Sequence, residues 1–156
     1  MTMPLGYGNV YAIRRVFNGD TVSILVGQVA VWLTSASPAA SFNNGASVIL
    51  CATNDSVNVA GIALDNIAPG EWGEVCQEGD DVKVRVDHGA SAGVQVAANE
   101  SIDAASTGNA RQGTGTTNRF GYALTGAAQD TVLTGAPYFI RACISVTRLN
   151  TAFGRA

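Results

Sequence analysis

The side chains of this sequence that could do chemistry are few and scattered. Its single histidine, His88, follows Asp87 and precedes Gly89-Ala90. A histidine acting as a base needs a nucleophile within reach, and no Gly-x-Ser-x-Gly elbow or comparable context occurs. His88 therefore reads as a turn residue. Cys51, Cys76 and Cys143 lie far apart without Cys-x-x-Cys spacing, so they read as buried thiols of a reducing compartment, with neither a disulfide framework nor a zinc set. Glu71, Glu74, Glu78, Asp80 and Asp81 form the one acidic concentration. They lack the alternation and the required glycine of a calcium loop, and they read as the solvated side of a strand pair. Gly6-Tyr7-Gly8 and Gly113-Thr114-Gly115 neither follow a strand and open a helix nor carry a lysine, as a phosphate loop would. No catalytic residue, metal site or cofactor is assigned.

The aromatic residues say more. Trp32 and Trp72, with Tyr7, Tyr11, Tyr122 and Tyr138, could form a stacking platform for sugars, which supports one alternative, a carbohydrate-binding or adhesion module. Large aromatic side chains are also the commonest anchors of protein interfaces. Trp32 is either core of a closed barrel or an exposed anchor; the anchor is preferred, and Trp72 is its companion. A third reading, a hydrolase with a dispersed acid pair, depends on a distance that spacing alone does not fix.

The elements that must position these residues have the period of strands. Val82-Lys83-Val84-Arg85-Val86-Asp87 places three valines on one face and three charges on the other. Gly79-Asp80-Asp81 before it is a turn signal, which predicts a hairpin between Glu74–Gln77 and Val82–Val86. Gln28–Leu33 alternates as well. Thr21–Val26, Ser47–Ala52, Val57–Leu64 and Tyr138–Val146 are apolar or β-branched runs bounded by turn formers. Ala90–Ala105 is broken by Gly93 and carries Val94-Gln95-Val96, which argues against a helix there. Ala104–Asn118 reads as an exposed loop. Gly61-Ile62-Ala63-Leu64 and Gly121-Tyr122-Ala123-Leu124 repeat the pattern Gly-x-Ala-Leu, which suggests two similar β-units closing one sheet.

These signals predict an all-β fold, a small single-domain β-barrel or β-sandwich with an extended N-terminal arm. The arm spans 1–15, the domain 16–150 and a C-terminal tail 151–156. Within the arm, Met3, Leu5, Tyr7, Val10 and Tyr11 are apolar among Pro4, Gly6 and Gly8. That mixture is too irregular for core and too apolar for a solvated tail. It suits a segment lying on a partner or folded back over its own barrel.

The chain has 156 residues, 47% hydrophobic and only 13% charged, about half the charge usual in globular domains. A surface so neutral suits a subunit that neighbours cover. The net charge of −3 and the absence of any basic cluster beyond Arg14-Arg15, itself read as a solvated pair, argue against a nucleic-acid partner. No apolar run is long enough to cross a bilayer as a helix, and Met1–Val10 lacks the pattern of a signal peptide. A soluble protein made in a cytosol is expected.

Val59-Ala60-Gly61-Ile62-Ala63-Leu64, then Ile67-Ala68-Pro69-Gly70-Glu71, then Val75, Gly79 and Val82-Lys83-Val84 resembles the core of bacteriophage head decoration, or cement, proteins. There a Gly-x-Ala-Leu strand leads through an Ala-x-Gly-Glu turn into a valine-rich strand. Arg119-Phe120-Gly121-Tyr122-Ala123-Leu124 resembles the recurrence of that element, with Gln129-Asp130-Thr131 in place of the Pro-Gly-Glu turn. The similarity spans roughly Gly45 to Cys143. It implies a homotrimeric β-barrel that is made in the host bacterial cytoplasm and docks on the outer surface of an icosahedral capsid. There it would bind the major capsid protein and clamp neighbouring subunits of the expanded head. In such a virion protein the N-terminal segment lies on the shell as an arm.

Overall fold

The computed structural model describes residues 9–33, 46–53, 56, 58–87, 96–113, 119–125 and 138–146. Among them are nine strands and no helix. They are β1 (Asn9–Asn18), β2 (Val29–Trp32), β3 (Ser47–Leu50), β4 (Val59–Ala63), β5 (Trp72–Val86), β6 (Ser101–Ala104), β7 (Ala110–Gln112), β8 (Gly121–Ala123) and β9 (Tyr138–Ser145). All belong to one sheet in the order β1-β3-β2-β4-β5-β7-β6-β8-β9. Additional β1–β5 and β5–β9 pairings close that sheet into two five-stranded cycles that share β5. The expected all-β fold is what the chain adopts.

The two cycles repeat each other residue for residue. In the first, β2 and β3 pair Ala30↔Leu50, Val31↔Ile49 and Trp32↔Val48. In the second, β6 and β7 pair Ile102↔Gln112, Asp103↔Arg111 and Ala104↔Ala110. Val29↔Ile62 and Ala30↔Gly61 become Ser101↔Tyr122 and Ile102↔Gly121, while Ile62↔Cys76 and Ala63↔Val75 become Tyr122↔Cys143 and Ala123↔Ala142. Each cycle also has one parallel pairing, β1 with β3 and β5 with β7. The Gly-x-Ala-Leu echo is thus the sequence trace of a duplicated five-stranded unit, and its glycines have a common cause. A Cβ on Gly61 would run into the Cys76 carbonyl oxygen, and one on Gly121 into that of Cys143.

The turns entering β2 and β6 repeat too. Gly27 (φ 83) and Asn99 (φ 69) take the left-handed position of Leu25–Gln28 and Ala97–Glu100, as a type II turn requires. In both, the fourth residue reaches back to the first. Gln28 Oε1 accepts from Leu25 N–H at 2.8 Å and Glu100 Oε2 from Ala97 N–H at 2.7 Å.

Alternation fills both faces of the sheet. Ala30, Val48, Ala60, Ala63, Val75, Ile24 and Ile67 form a small core inside the first unit. A larger cluster joins Val84, Val86, Ile102, Phe120 and Ile140 of the second unit to Val29, Val31, Ile62, Leu64 and Cys76 of the first, so it also seals one unit against the other. Each fully buried Val or Ile contributes about 1.5–3 kcal/mol. Polar bonds reinforce the seam: Arg85 N–H donates to Gly27 O and Val29 N–H to Gly108 O, each at 2.8 Å. Gln28 Nε2 donates to Asn109 Oδ1 at 3.2 Å, and Asn109 Nδ2 to Asp87 Oδ1 at 2.7 Å.

Three local expectations change. The hairpin at Gly79-Asp80-Asp81 is absent, because β5 runs unbroken through it. Gly79 pairs with Ile144 and Val82 with Ala142, so β5 carries one extra residue there, with Asp81 at φ 58. The turn chemistry is spent on a bulge that re-aims one long strand from the first unit into the second. Thr21–Val26 forms no strand, and only Ile24 bridges to Ile67. Ala104–Asn118 is no exposed loop where it is described. Ala104, Ala105 and Ala110 are buried, Ala110–Gln112 forms β7, and Gly108 (φ 83) lies so close to Leu50 that a Cβ would not fit.

Candidate functional site

The exposed faces of the two units carry aromatic rings flanked by cations. On β1, Ile13, Arg15 and Phe17 share one face by strand alternation, and β5 sets Trp72 opposite Phe17 and Glu74 opposite Arg15. Phe17 and Trp72 meet edge to face with ring centroids 5.6 Å apart, and the Arg15 guanidinium lies 5.4 Å from the Trp72 ring centre. Trp72 is 44% exposed and Ile13 51%. The matching place in the second unit lies between β5 and β9, where Lys83 Nζ stands 4.2 Å and Arg85 6.0 Å from the ring centre of Phe139. Each exposed cation–ring contact contributes about 0.5–1 kcal/mol. Beside Phe139, Arg141 pairs with Asp81 through Nε and Oδ1 at 2.7 Å, and that hydrogen bond holds the Asp81 carboxyl below its ordinary range.

Trp32 is partly buried against the small core, and the Arg14 guanidinium stacks on its ring, 5.2 Å from the ring centre. Trp72 is exposed, as an anchor must be. Val10 is partly buried against the larger cluster, and Tyr11 lies in β1, so the strand starts inside the segment read as an arm. Met3, Leu5, Tyr7 and His88 lie outside the described residues, as does the tail 151–156. Glu71 lies just before β5 and the other acidic residues string along it, and no group of three or more metal-ligating side chains converges among the described residues.

The thiols differ by position. Burial, then the charge of Glu78, pushes Cys76 up to about 12, and burial raises Cys51. Cys143 is partly exposed and donates to Asp80 Oδ1 at 2.9 Å; burial, then this bond, raises it as well. None of the three is tuned toward the thiolate that nucleophilic chemistry requires.

Sequence reasoning passed over Phe17, Lys83, Phe139 and Leu124 as surface contacts, and named Tyr122 only within the stacking platform for sugars. The echo could have found two of them, since Tyr122 and Leu124 are its second and fourth positions; Phe139 matches Trp72 only through strand register.

No family model and no curated protein matches the chain. A solved structure does, the crystal structure of the head fiber gp8.5 N base of bacteriophage phi29. It aligns over 86% of this chain and 96% of that one, with a TM-score of 0.53 and 12% identity. The two share a fold. At so low an identity the likeness is one of fold alone.

Proposed function

We propose that this chain is a non-enzymatic structural protein of a bacteriophage virion. As a trimer it binds the outer surface of the icosahedral head, contacts the major capsid protein and clamps neighbouring capsid subunits. The observation that carries this reading is the shared fold with a phage head fiber base over nearly the whole of that chain. The exposed, cation-flanked rings of Trp72 and Phe139 supply interface chemistry. The role is mechanical. Three linked copies of a weak contact raise avidity by roughly 10²–10⁴ without any single strong site. Subunits under internal pressure then separate only if the whole set of contacts breaks.

Co-sedimentation of the purified protein with undecorated, expanded heads tests this. Binding with the mass of a trimer is the expected result, and a protein that stays in the supernatant overturns the reading. Deleting residues 1–8, which leaves β1 intact, should weaken head binding and keep the trimer if the N-terminal segment lies on the shell. The exposed ring of Trp72 also favours a second reading, a carbohydrate-binding or adhesion module of the virion surface. Glycan-array binding abolished by Trp72→Ala, without head binding, would select it.

A further inference from the structure

The duplicated unit shows a surface covered once and left open once. On the outer wall of the first unit, Ile62 and Leu64 are buried, and Gly27 and Gln28 of the turn entering β2 are buried with them, while Leu25 and Val26 are half-buried. The second unit covers that wall. Val82 and Val84 join the cluster of Ile62 and Leu64, Arg85 N–H bonds to Gly27 O, and the Phe139 ring lies against Gly27. On the matching wall of the second unit, Tyr122 is 45% and Leu124 39% exposed, and Ala97, Ala98 and Asn99 of the matching turn are exposed.

The register also identifies what would complete the series. In the first unit the counterparts of Lys83 and Phe139 are Arg15 and Trp72, and these are exposed. We infer that a second copy of this chain lays its strip of Ile13, Arg15 and Trp72 on the wall of Tyr122, Leu124 and the Ala97–Glu100 turn. The contact between the units of one chain is thereby repeated head to tail between chains. Charge agrees with this pairing, since Arg15 stands on the strip beside Trp72, and Asp80 and Glu100 flank the wall. A head-to-tail contact uses two different surfaces and closes into a ring when its rotation permits. This assigns a surface to the self-association within the proposed function and rests on that reading.

Complementation tests it. Leu124→Asp breaks the wall and Trp72→Asp the strip, with Tyr122→Asp and Arg15→Glu as independent second variants. All four positions are exposed, so circular dichroism should report an unchanged sheet. Sedimentation velocity of the wild type should give an oligomer and of each variant a single copy. An equimolar mixture of a wall variant with a strip variant should give pairs, because one intact wall and one intact strip remain. A wall variant that keeps the wild-type mass overturns the inference and leaves the trimer reading standing; if it also loses head binding, the wall belongs to the capsid contact. A strip variant that assembles normally while the wall variant does not means that walls pair with walls, which also overturns it. A wild type that is a single copy at all concentrations overturns both.

Discussion

The two units of this chain have one backbone and two fillings. Where the first places Ala30, Ala60 and Gly73 in its interior, the second has Ile102, Phe120 and Ile140 at the same register positions. The first compensates with Ile24 and Ile67, which bridge each other and fill the space that small strand residues leave, and a Cβ on Gly73 would strike Ile67. Outside, the order reverses: Ile62 and Leu64 are covered, and Tyr122 and Leu124 are not. A pattern of hydrogen bonds and turn conformations can therefore be copied while its side chains are rewritten. Only the position of each copy in the whole determines which face needs apolar residues.

The largest loss is expected from Phe120→Ala. It empties the largest fully buried side chain of the second unit and should cost about 3–5 kcal/mol in urea unfolding. Its mirror, Ala60→Phe, should overpack the first unit and cost about 1–3 kcal/mol or more. Equal tolerance of phenylalanine at both positions would contradict the different fillings.

Next come the paired glycines. Gly61→Ala and Gly121→Ala each drive a methyl group toward a carbonyl of the neighbouring strand, and each should cost about 1–3 kcal/mol. Similar losses in thermal unfolding would sharpen the equivalence, and a neutral result at either would remove it.

Asp87→Ala tests the seam. It leaves Asn109 Nδ2 and the Thr107 hydroxyl without their acceptor, and about 1–3 kcal/mol should be lost in chemical denaturation. The matching thiols give a kinetic readout. Cys143 should react with a maleimide in the folded protein, whereas Cys76 and Cys51 should react only after unfolding, as intact mass would record.

The smallest effect belongs to Asp81. Its side chain is 52% exposed, so Asp81→Asn should cost no more than about 1 kcal/mol. The folded carboxyl is depressed by Arg141, so its contribution is present at neutral pH. It fades as pH falls below the ordinary carboxylate range of about 4. Wild type and variant should converge in stability in acid, and a gap that widens there would reverse the sign.

Much of the fold was legible in the chain. Val82, Val84 and Val86 alternate with charged residues and are buried as that alternation requires, and the Gly-x-Ala-Leu echo marks the repeat. These features are local, written in periods of two and in a glycine that a close carbonyl demands. Gly79-Asp80-Asp81 misled because a turn and a bulge draw on the same residues, and only the partner strand β9 distinguishes them. Ala104–Ala110 misled because small side chains resemble a loop until a neighbouring unit closes over them.

Composition and periodicity by themselves determined that this protein would be all-β, poor in charge and built with an internal echo, because those properties need no knowledge of distant neighbours. Tertiary structure alone decided that β5 serves both units, that Trp72 and Phe139 hold matching places, and that one wall is sealed while its twin stays open. Those facts depend on pairings between residues tens of positions apart, and strand register, which sets them, is fixed only when the whole sheet closes.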